Sequence, residues 1–277
     1  MKNRNEMRSV AIVGLGWLGF PLGRYLQSLG WLVKGSKRTH EGTEHMRLQR
    51  IECYQLELTP AINADPDDLE ALLNVDSLII NIPPSEYFFD LNNYILSVEN
   101  LLTEALLHNV QHIIFISSTS VYPMISGVFD EDYLPKPTSD VGKALLEIEQ
   151  RLWDLQDIDV DIIRFAGLVG EDRHPVYHLS GKENIQGANQ TVNLVHLTDC
   201  IRAIQLLLET PTHHRRYNLV APIHPLKQDF YTTMAEKLSL PVPHFLPDEE
   251  KMERIILADK ICRDLDFVYQ YPDPKMM

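Results

Sequence analysis

Cysteine is scarce in this chain. The 277 residues contain only Cys53, Cys200 and Cys262, which lie far apart in the sequence. Three scattered thiols provide neither a disulfide framework nor the ligand spacing of a metal site. We therefore expect no disulfide-stabilised secreted domain and no metal site, and we expect the reducing cytoplasm as the compartment.

Long apolar runs and an excess of positive charge are also missing. The first eight residues are largely polar, and no apolar stretch approaches the roughly 20 residues that a bilayer-spanning helix needs. We expect neither a signal peptide nor a membrane partner. With 25 Lys and Arg against 39 Asp and Glu, the net charge is −14, which would repel a nucleic-acid backbone. What remains is a globular chain that is 44% hydrophobic and long enough for a large core.

The most informative motif that is present is a glycine turn. Residues 10–13 form an apolar run typical of a buried strand, a G-x-G-x-x-G pattern follows, and apolar residues then recur at helical spacing. Such glycines allow a tight turn, a close approach of pyrophosphate to the backbone, and close packing of the helix on its strand. The free N–H groups at the start of the helix suit phosphate. The pattern predicts a dinucleotide site formed by Gly14, Gly16, Trp17, Leu18 and Gly19. The alternative is a glycine turn without a ligand.

The end of the second predicted strand indicates which dinucleotide binds. A site for NAD usually has Asp or Glu about 20 residues after the first glycine, where the carboxylate holds the ribose 2′-OH. No acid occurs in 34–38, whereas Ser36 can donate a hydrogen bond and Arg38 can make a forked contact with a 2′-phosphate. We therefore predict NADP, with NAD as the alternative cofactor. In the competing interpretation, Lys37 and Arg38 are ordinary solvated charges.

Predicted strands and helices alternate six times along the chain. This alternation is typical of an α/β fold with a doubly wound parallel sheet of the Rossmann type. We expect a dinucleotide-binding domain over 8–170, to which 191–210 returns by way of a strand at 193–197. The more irregular, proline-rich segments 171–190 and 211–277 are expected to form a small C-terminal substrate lobe.

Hydroxyl side chains follow the fifth predicted strand. Residues 117–120 read Ser-Ser-Thr-Ser, and ligands of such sheets lie beyond the carboxyl ends of the strands. These hydroxyls, Thr119 among them, are candidates to orient a carbonyl or alcohol group of a substrate beside a nicotinamide. The alternative is that they cap the next turn of the chain.

Other polar residues allow more than one interpretation. Arg164 ends the sixth predicted strand, where it can face an anionic group of the substrate or pair with an acid. The run 213–216, which reads His-His-Arg-Arg, is interpreted as a solvated polar loop. Glu149 lies on a predicted helix and is expected to face water.

Five segments together resemble the short-chain dehydrogenase/reductase superfamily, in its extended branch of nucleotide-sugar epimerases and dehydratases. They occur in the order of that family and span residues 9 to about 220. The segments are residues 14–19, 117–122, 164–170, 193–199 and 217–220. The whole chain is similar to an atypical bacterial subgroup, the YeeZ-like proteins. The resemblance implies a small-molecule substrate and a homodimer formed through helices at about 92–108 and 139–155.

The resemblance also implies a catalytic Ser or Thr, a Tyr and a Lys. Ser118 matches the first of these, and Lys143 matches the last, with the nicotinamide ribose as a further implied contact. Pro83 lies where the family lines the ribose side of the cofactor with main chain. His196 matches a segment that borders the substrate pocket, although a lone histidine at a strand end is often structural. The tyrosine position is occupied by Ser139.

Ser139 is a poor substitute for that tyrosine. In the family the phenol is the general acid or base, and the neighbouring lysine lowers its pKa. An aliphatic hydroxyl is far more basic than a phenol, whose pKa is about 10, and one cation does not close that gap. The possible replacements are another tyrosine (Tyr87, Tyr122 or Tyr133) or a histidine, and the remaining alternative is that no redox chemistry occurs.

Two functions of different classes follow. The first is an NADP(H)-binding reductase or epimerase that acts on a small polar substrate, with a nucleotide sugar as the candidate. The second is a catalytically inactive protein that senses NADP(H) and regulates another process. Ser118 and Lys143 favour the enzyme, and the missing tyrosine favours the sensor. A structural protein with a vestigial pocket is a third alternative, which predicts no cofactor affinity.

Overall fold

The computed structural model describes residues 8–84, 90–170, 172–247 and 252–277, in which strands and helices alternate. The strands are β1 (Ser9–Val13), β2 (Leu32–Lys37), β3 (Glu52–Gln55), β4 (Glu57–Leu58), β5 (Ile62–Asn63), β6 (Ser77–Ile80), β7 (His112–Ser118), β8 (Gly127–Phe129), β9 (Asp159–Phe165), β10 (Gly167–Val169), β11 (Leu194–His196), β12 (Arg215–Leu219) and β13 (Arg254–Ile256). The helices are α1 (Gly19–Ser28), α2 (His40–Leu48), α3 (Pro66–Leu73), α4 (Leu91–Leu107), α5 (Asp140–Trp153), α6 (Val176–Leu179), α7 (Leu197–Glu209), α8 (Lys227–Lys237) and α9 (Asp259–Leu265). No helix in the described ranges has the length and apolar character needed to cross a bilayer.

Seven strands form the central sheet, in the order β12-β9-β7-β6-β1-β2-β3. β1 pairs in parallel with β2 and β6, β2 pairs with β3, and β6 pairs with β7. All residues of β6 and the last four of β1 are buried. Because successive side chains of a strand point to opposite faces, this pattern means that both faces of the sheet are covered. The predicted α/β fold with a doubly wound parallel sheet is confirmed.

Four helices that pack around this sheet begin at side chains that cap them. Thr39, Asp65, Asp90 and Ser139 each accept a hydrogen bond from a backbone N–H two or three residues further along, at the starts of α2, α3, α4 and α5. Such caps satisfy N–H groups that have no partner within the helix. α1 begins differently, because its N-cap residue is Leu18, which has no side-chain hydrogen bond to offer.

The chain divides into two compact units. The first contains Met1–Ser117, Ser139–Ile163 and Ile204–Arg216, and the second contains Ser118–Thr138, Arg164–Ala203 and Tyr217–Met277. The segment 118–138, which is predicted to lie within the dinucleotide-binding domain, groups with the second unit.

A buried ionic network in the first unit corrects the interpretation of Arg215 as part of a solvated loop, whereas the side chain of His213 is 97% exposed, as expected. β12 begins at Arg215, whose guanidinium donates to both carboxylate oxygens of Asp161, at 2.6 and 2.5 Å. Asp161 is fully buried, and its carboxylate also lies 2.8 Å from Nε2 of His112. Arg215 is therefore a structural residue of an edge strand, where it neutralises a charge that burial would otherwise make costly.

The second unit has small parallel sheets of its own. β10 pairs with β11, and β8 pairs with β13. The strand predicted at 193–197 is therefore real, but it does not rejoin the central sheet. β10 and β11 approach each other closely at Gly167, where a Cβ would lie 2.8 Å from Cδ2 of Leu194. Around this pair a separate apolar core forms from Val169, Val176, Leu194, Phe230, Met234 and Ala235.

Candidate cofactor and substrate site

The glycine turn between β1 and α1 is held together by close backbone packing. Gly14 has a φ of +109°, and a Cβ at this position would lie 2.3 Å from the carbonyl oxygen of Asn81. A Cβ at Gly19 would lie 2.2 Å from the carbonyl oxygen of Gly14. The Asn81 side chain donates a hydrogen bond to that same oxygen at 2.9 Å. Gly14 and Gly19 are therefore required by the fold itself, with or without a ligand.

Gly16 has no such structural reason to be glycine. No heavy atom of the described chain lies within 4 Å of the position that its Cβ would take, and the residue is exposed. Its backbone N–H donates to the carbonyl oxygen of Gly14 at 2.9 Å, which tightens the turn. Open space beside bare backbone is what the pyrophosphate of a dinucleotide requires at this position.

The uncapped start of α1 adjoins this space. The first N–H groups of a helix carry a partial positive charge and need acceptors from outside the helix. Leu18 supplies none from its side chain, whereas α2 to α5 each begin at a capping side chain. The structure thus brings together Gly14, Gly16, Trp17, Leu18 and Gly19 at a helix N-terminus. These residues fit a bound phosphate group.

The end of β2 lies beside the glycine turn, because the Leu15 N–H donates to the Ser36 carbonyl oxygen at 3.2 Å. Ser36 is buried, and Arg38 is exposed just beyond the strand. Lys34 is committed elsewhere, since its ammonium group donates to two carbonyl oxygens near the end of α3 at 2.5 and 3.2 Å. Lys34 is thus used by the fold itself.

The segment after β6 reaches the same edge of the sheet as the glycine turn. Val13 and Ile80 are paired at the carboxyl ends of β1 and β6, and the Asn81 N–H donates to the Val13 carbonyl oxygen at 2.9 Å. The hydroxyl of Tyr94 fixes the next residue by donating to the Ile82 carbonyl oxygen at 3.0 Å. Pro83 follows and is exposed, so main chain at this position is accessible to a ligand.

Two residues of the hydroxyl cluster at 117–120, Ser118 and Thr119, lie at the end of β7 and in the turn that follows it. Ser118 ends β7, and its Oγ accepts a hydrogen bond from the Ser120 N–H at 3.1 Å at the start of a single 3-10 turn. This bond is the turn cap considered from the sequence. A hydroxyl that accepts still has its own hydrogen to donate, so the contact leaves Ser118 able to bind a carbonyl oxygen. Thr119, the next residue, is buried.

Ser117 and Glu149 form a buried pair in the first unit that sequence reasoning missed. The Ser117 hydroxyl donates to Oε1 of Glu149 at 2.6 Å, and Nε of Arg216 lies 3.5 Å from Oε2. Glu149 is fully buried, so the expectation that it faces water is wrong. Its charge is neutralised by Arg216, which also stacks over the ring of Trp153 at 4.4 Å. The pair anchors the end of β7 to α5.

The position that the sequence resemblance assigns to a tyrosine is the N-cap of α5. Oγ of Ser139 accepts a hydrogen bond from the Gly142 N–H at 3.1 Å. The Lys143 side chain, which is 62% exposed, points to Asp140 at 2.8 Å rather than to Ser139. That contact holds the pKa of the exposed Asp140 carboxyl below its usual range. In this arrangement neither Ser139 nor Lys143 forms an acid–base pair.

Tyr122 is not arranged to act as the general acid or base that the sequence resemblance expects of a tyrosine. Its phenol is fully buried, and it receives a hydrogen bond from Nη1 of Arg164 at 2.7 Å. The phenol oxygen also lies 2.7 Å from the Asp130 carbonyl oxygen and 2.9 Å from Oδ1 of Asn218. Burial raises the pKa of Tyr122, which moves it away from the range in which a phenol can act near neutral pH. Arg164 is fully buried as well and is used in this contact.

The other two tyrosine candidates are Tyr133 and Tyr87. Tyr133 packs edge-on against Phe129, with ring centroids 4.8 Å apart. It is half-buried in the second unit. Tyr87 lies outside the described residues. Neither tyrosine is thus established as the acid or base.

His196 is nearly buried at the end of β11. Its Nδ1 accepts a hydrogen bond from the Thr198 N–H at 3.2 Å, and its ring stacks on that of Tyr271 with centroids 3.8 Å apart. Asp199 holds the segment that carries Tyr271, because its carboxylate accepts from the N–H groups of Gln270 and Tyr271 at 2.8 and 3.0 Å. These contacts agree with a structural role for the histidine ring and leave its substrate role a prediction.

Arg254 is a second residue that sequence reasoning missed. It lies on β13 in the second unit, and its guanidinium donates to the carbonyl oxygens of Thr119 and Pro123. A single arginine in a segment without a recognisable motif gives no signal in the sequence, because its partners come about 130 residues earlier in the chain. The contact ties β13 to the turn that follows Ser118.

Comparison with known proteins identifies the family. No protein-family profile matches the chain. The curated protein YeeZ of Escherichia coli strain K12 is 43% identical over 277 residues, which cover 98% of this chain and 99% of YeeZ. An identity of this size over nearly the whole of both chains is evidence of common family membership, and the predicted resemblance is confirmed.

Solved structures of lower identity share the fold. A putative NAD-dependent epimerase/dehydratase from Methylobacillus flagellatus is 22% identical, with a TM-score of 0.78 and coverage of 97% of this chain and 95% of that chain. MoeE5 in complex with UDP-glucose and NAD is 20% identical, with a TM-score of 0.78 and coverage of 96% and 95%. A further structure of MoeE5 contains UDP-glucuronic acid and NAD. The chain therefore belongs to the family of YeeZ, and it shares the fold of these solved structures.

Proposed function

We propose that the protein binds NADP(H) at the glycine turn and acts as a reductase or epimerase on a small polar substrate, with nucleotide sugars as the candidate class. One observation carries the cofactor part of this proposal. α1 begins without a side-chain cap, as α6, α8 and α9 also do, but it follows a glycine turn and begins beside open space at Gly16. Pro21 has no N–H, and the Phe20 N–H donates to the Gly16 carbonyl oxygen at 3.0 Å, so an anion at this position would accept from the N–H of Gly19.

The preference for NADP over NAD is supported by the end of β2. Arg38 is exposed there beside the glycine turn, Ser36 lies within the strand, and 34–38 contain no carboxylate that would repel a 2′-phosphate. MoeE5, which shares the fold, is in complex with NAD. The two cofactors therefore have to be compared directly on this protein.

The substrate class is supported by the UDP sugars in the complexes of MoeE5, which shares the fold. We assign Ser118 to donate a hydrogen bond to the reacting oxygen of the substrate, since it ends β7 with its hydroxyl hydrogen free to donate. Thr119, Arg164 and His196 stay candidate substrate residues, and Lys143 stays a candidate contact of the nicotinamide ribose. Bound NADP(H) would supply the hydride chemistry.

A second function is favoured by the capping role of Ser139. With Ser139 used as a helix cap and Lys143 paired with Asp140, these two positions of the described chain provide no acid or base for hydride transfer. Such a protein would bind NADP(H) and report its level without turnover. Under this proposal Ser118 would serve only as a turn cap.

Two measurements on the purified protein test these functions. Titration calorimetry with NADPH and NADH measures cofactor affinity. Incubation of nucleotide sugars and small carbonyl compounds with NADPH or NADP then tests turnover, followed by nicotinamide absorbance and by chromatography of the products. Turnover supports the enzyme, and tight NADPH binding without turnover supports the sensor. Failure to bind either cofactor would contradict both functions and favour a structural role.

We also propose that the protein forms a homodimer through α4 and α5. Leu96 and Leu107 are exposed, and they lie three turns apart on one face of α4. Leu106 is exposed beside them, and an ion pair between Glu99 and Arg151 joins α4 to α5. A two-fold contact would bury these leucines. Sedimentation at micromolar concentration tests this, and we expect Leu107→Lys to shift the protein to a monomer. A wild-type monomer would contradict the dimer.

The compartment proposed for this protein is the cytoplasm. Cys53, Cys200 and Cys262 are all free thiols, and the first two are buried. Free thiols are compatible with a reducing environment. Cell fractionation with an antibody against the protein tests this proposal.

A further inference from the structure

Arg254 is a buried cation with no acidic partner in the part of the chain that the structure describes. The residue is 8% exposed, and its hydrogen bonds go to carbonyl oxygens alone, at 2.9 Å to Pro123 and 2.7 Å to Thr119. Burial lowers the pKa of its guanidinium, but the ordinary value is so high that the group stays charged at neutral pH. A buried charge that lacks an opposite charge is costly, so an anion from outside the chain would stabilise it.

The guanidinium has one edge in use and one edge available. Nε and Nη2 each donate to a carbonyl oxygen of the turn at 119–123. Nη1 bonds to none of the described residues, and Nη2 keeps its second hydrogen. These two groups form the end of the planar fork, which matches the two oxygens of a carboxylate.

The backbone at Arg254 is fixed by side chains of the same unit. The Thr191 hydroxyl and the Asn193 amide both donate to the Arg254 carbonyl oxygen, at 2.7 and 2.8 Å. Asn193 also accepts a hydrogen bond from the Ile256 N–H at 3.0 Å. The arginine is therefore held at both ends, by its carbonyl group and by its guanidinium. Such preorganisation is expected of a group that selects a ligand.

The turn that Arg254 contacts begins directly after Ser118. Thr119, whose carbonyl oxygen accepts from Nη2, is the neighbour of the serine assigned to the reacting oxygen of the substrate. An anion bound at the free edge of Arg254 would therefore belong to the reacting end of the substrate. In a nucleotide sugar the phosphates lie at the other end of the sugar, whereas a sugar acid carries its carboxylate on the ring.

We propose that Arg254 binds a carboxylate of the substrate close to the carbon whose oxygen Ser118 holds, so that the preferred substrates are sugar acids rather than neutral sugars. This inference rests on the proposed function. It transfers to Arg254 the anion-binding role that the sequence suggests for Arg164, which is fully buried and donates to Tyr122 instead. The competing explanation is that Arg254 only ties the turn to β13.

UDP-glucuronic acid and UDP-glucose form a matched pair of probes, because they differ only in a carboxylate that replaces a hydroxymethyl group. Calorimetry on the NADPH-saturated protein should find that UDP-glucuronic acid binds about tenfold more tightly or better, the effect expected of a charge-assisted hydrogen bond. Arg254→Gln should lower this ratio to about one while UDP-glucose affinity changes little. Arg263→Gln, an equal change in charge at an exposed residue of α9, should leave the ratio unchanged.

Other outcomes of the titrations distinguish a failure of the carboxylate assignment from a failure of the proposed function. Equal affinities in the wild type, or an equal loss for both probes in Arg254→Gln, would overturn the carboxylate assignment and leave the proposed function intact. If neither probe binds although NADPH does, the nucleotide-sugar class is wrong. Free glucuronate and free glucose then replace the two nucleotide sugars as probes. Equal affinities for these two would overturn the inference as well. If Arg254→Gln does not fold, Arg254→Lys retains the charge without the fork and should still reduce the ratio several-fold.

Discussion

The N-termini of α1 and α5 both coincide with motifs that the sequence marks as functional candidates, and the first N–H groups of the two helices are treated in opposite ways. α1 begins with Leu18, which caps nothing, beside the open space at Gly16. α5 begins with Ser139, which caps the helix at the position that the sequence resemblance assigns to a tyrosine. The first N-terminus leaves room for a phosphate, and the second is satisfied by the protein alone. This contrast is what the proposed function predicts for a protein that binds a cofactor and has no tyrosine on α5.

The largest effect is expected from closing the space at α1. Gly16→Val should abolish cofactor binding, because a branched side chain would occupy the pyrophosphate position. The fold should survive, since a Cβ at Gly16 meets no atom within 4 Å. Titration calorimetry and a thermal melt check the two parts. Gly30→Asn, in the loop before β2 where φ is +84°, is the control that should bind normally. Normal binding by Gly16→Val would mean that the phosphates bind elsewhere.

The next prediction compares the two serines under turnover. If the protein is an enzyme, Ser118→Ala should lower kcat by about 100-fold, the effect of removing one donor to a reacting oxygen. Ser139→Ala should change kcat little, because its hydroxyl is used as a cap and does not ionise near neutral pH.

The pH profile provides an independent check of the same comparison. The plot of kcat against pH should show no rise or fall from the titration of a phenol with a lowered pKa, because burial raises the pKa of Tyr122. A collapse of turnover in Ser139→Ala would show that α5 does carry the chemistry, and the contrast between the two helices would no longer hold.

A smaller effect is expected at the end of β2. Arg38→Ala should weaken NADPH binding by about 1.5–3 kcal/mol, the range for hydrogen bonds to charged groups. Binding of NADH should not change, because NADH has no 2′-phosphate, and this makes NADH the internal control. Equal affinity of the wild type for both cofactors would refute the role of Arg38.

The smallest effect concerns stability alone. Ser139→Ala should lower the free energy of unfolding by about 1 kcal/mol, since it removes the cap of α5. Ser139→Asp keeps an acceptor at the helix start and should restore the stability. Urea unfolding measures both variants. If Ser139→Ala is as stable as the wild type, the capping explanation for this residue fails.

Local patterns predict much of the first unit. The glycine turn, the uninterrupted apolar strands and the alternation of strands with helices are properties of neighbouring residues, and each of these predictions agrees with the structure. The assignment of Ser139 to the tyrosine position comes from its spacing from Lys143 in the sequence, and it stays a prediction.

Predictions that depend on distant partners failed. Glu149 is interpreted as a surface residue because nothing near it in sequence reveals its contacts with Ser117 and Arg216. The partner of Arg215 lies 54 residues earlier in the chain. β11 pairs with β10, although its apolar pattern suits a return to the main sheet equally well. Burial of a charge is decided by such long-range contacts, which periodicity does not report.

The position of β12 at the edge of the central sheet has a consequence for how the chain folds as it leaves the ribosome. Asp161 emerges with β9, whereas Arg215 follows 54 residues later. Until then the carboxylate has His112 beside it but not the arginine, and removing one partner from a buried ion pair costs about 3–5 kcal/mol. We therefore expect the last strands of the sheet to assemble late in translation. A nascent chain stopped after residue 170 should expose an unfinished sheet edge, which makes it a substrate for chaperones rather than an independent domain.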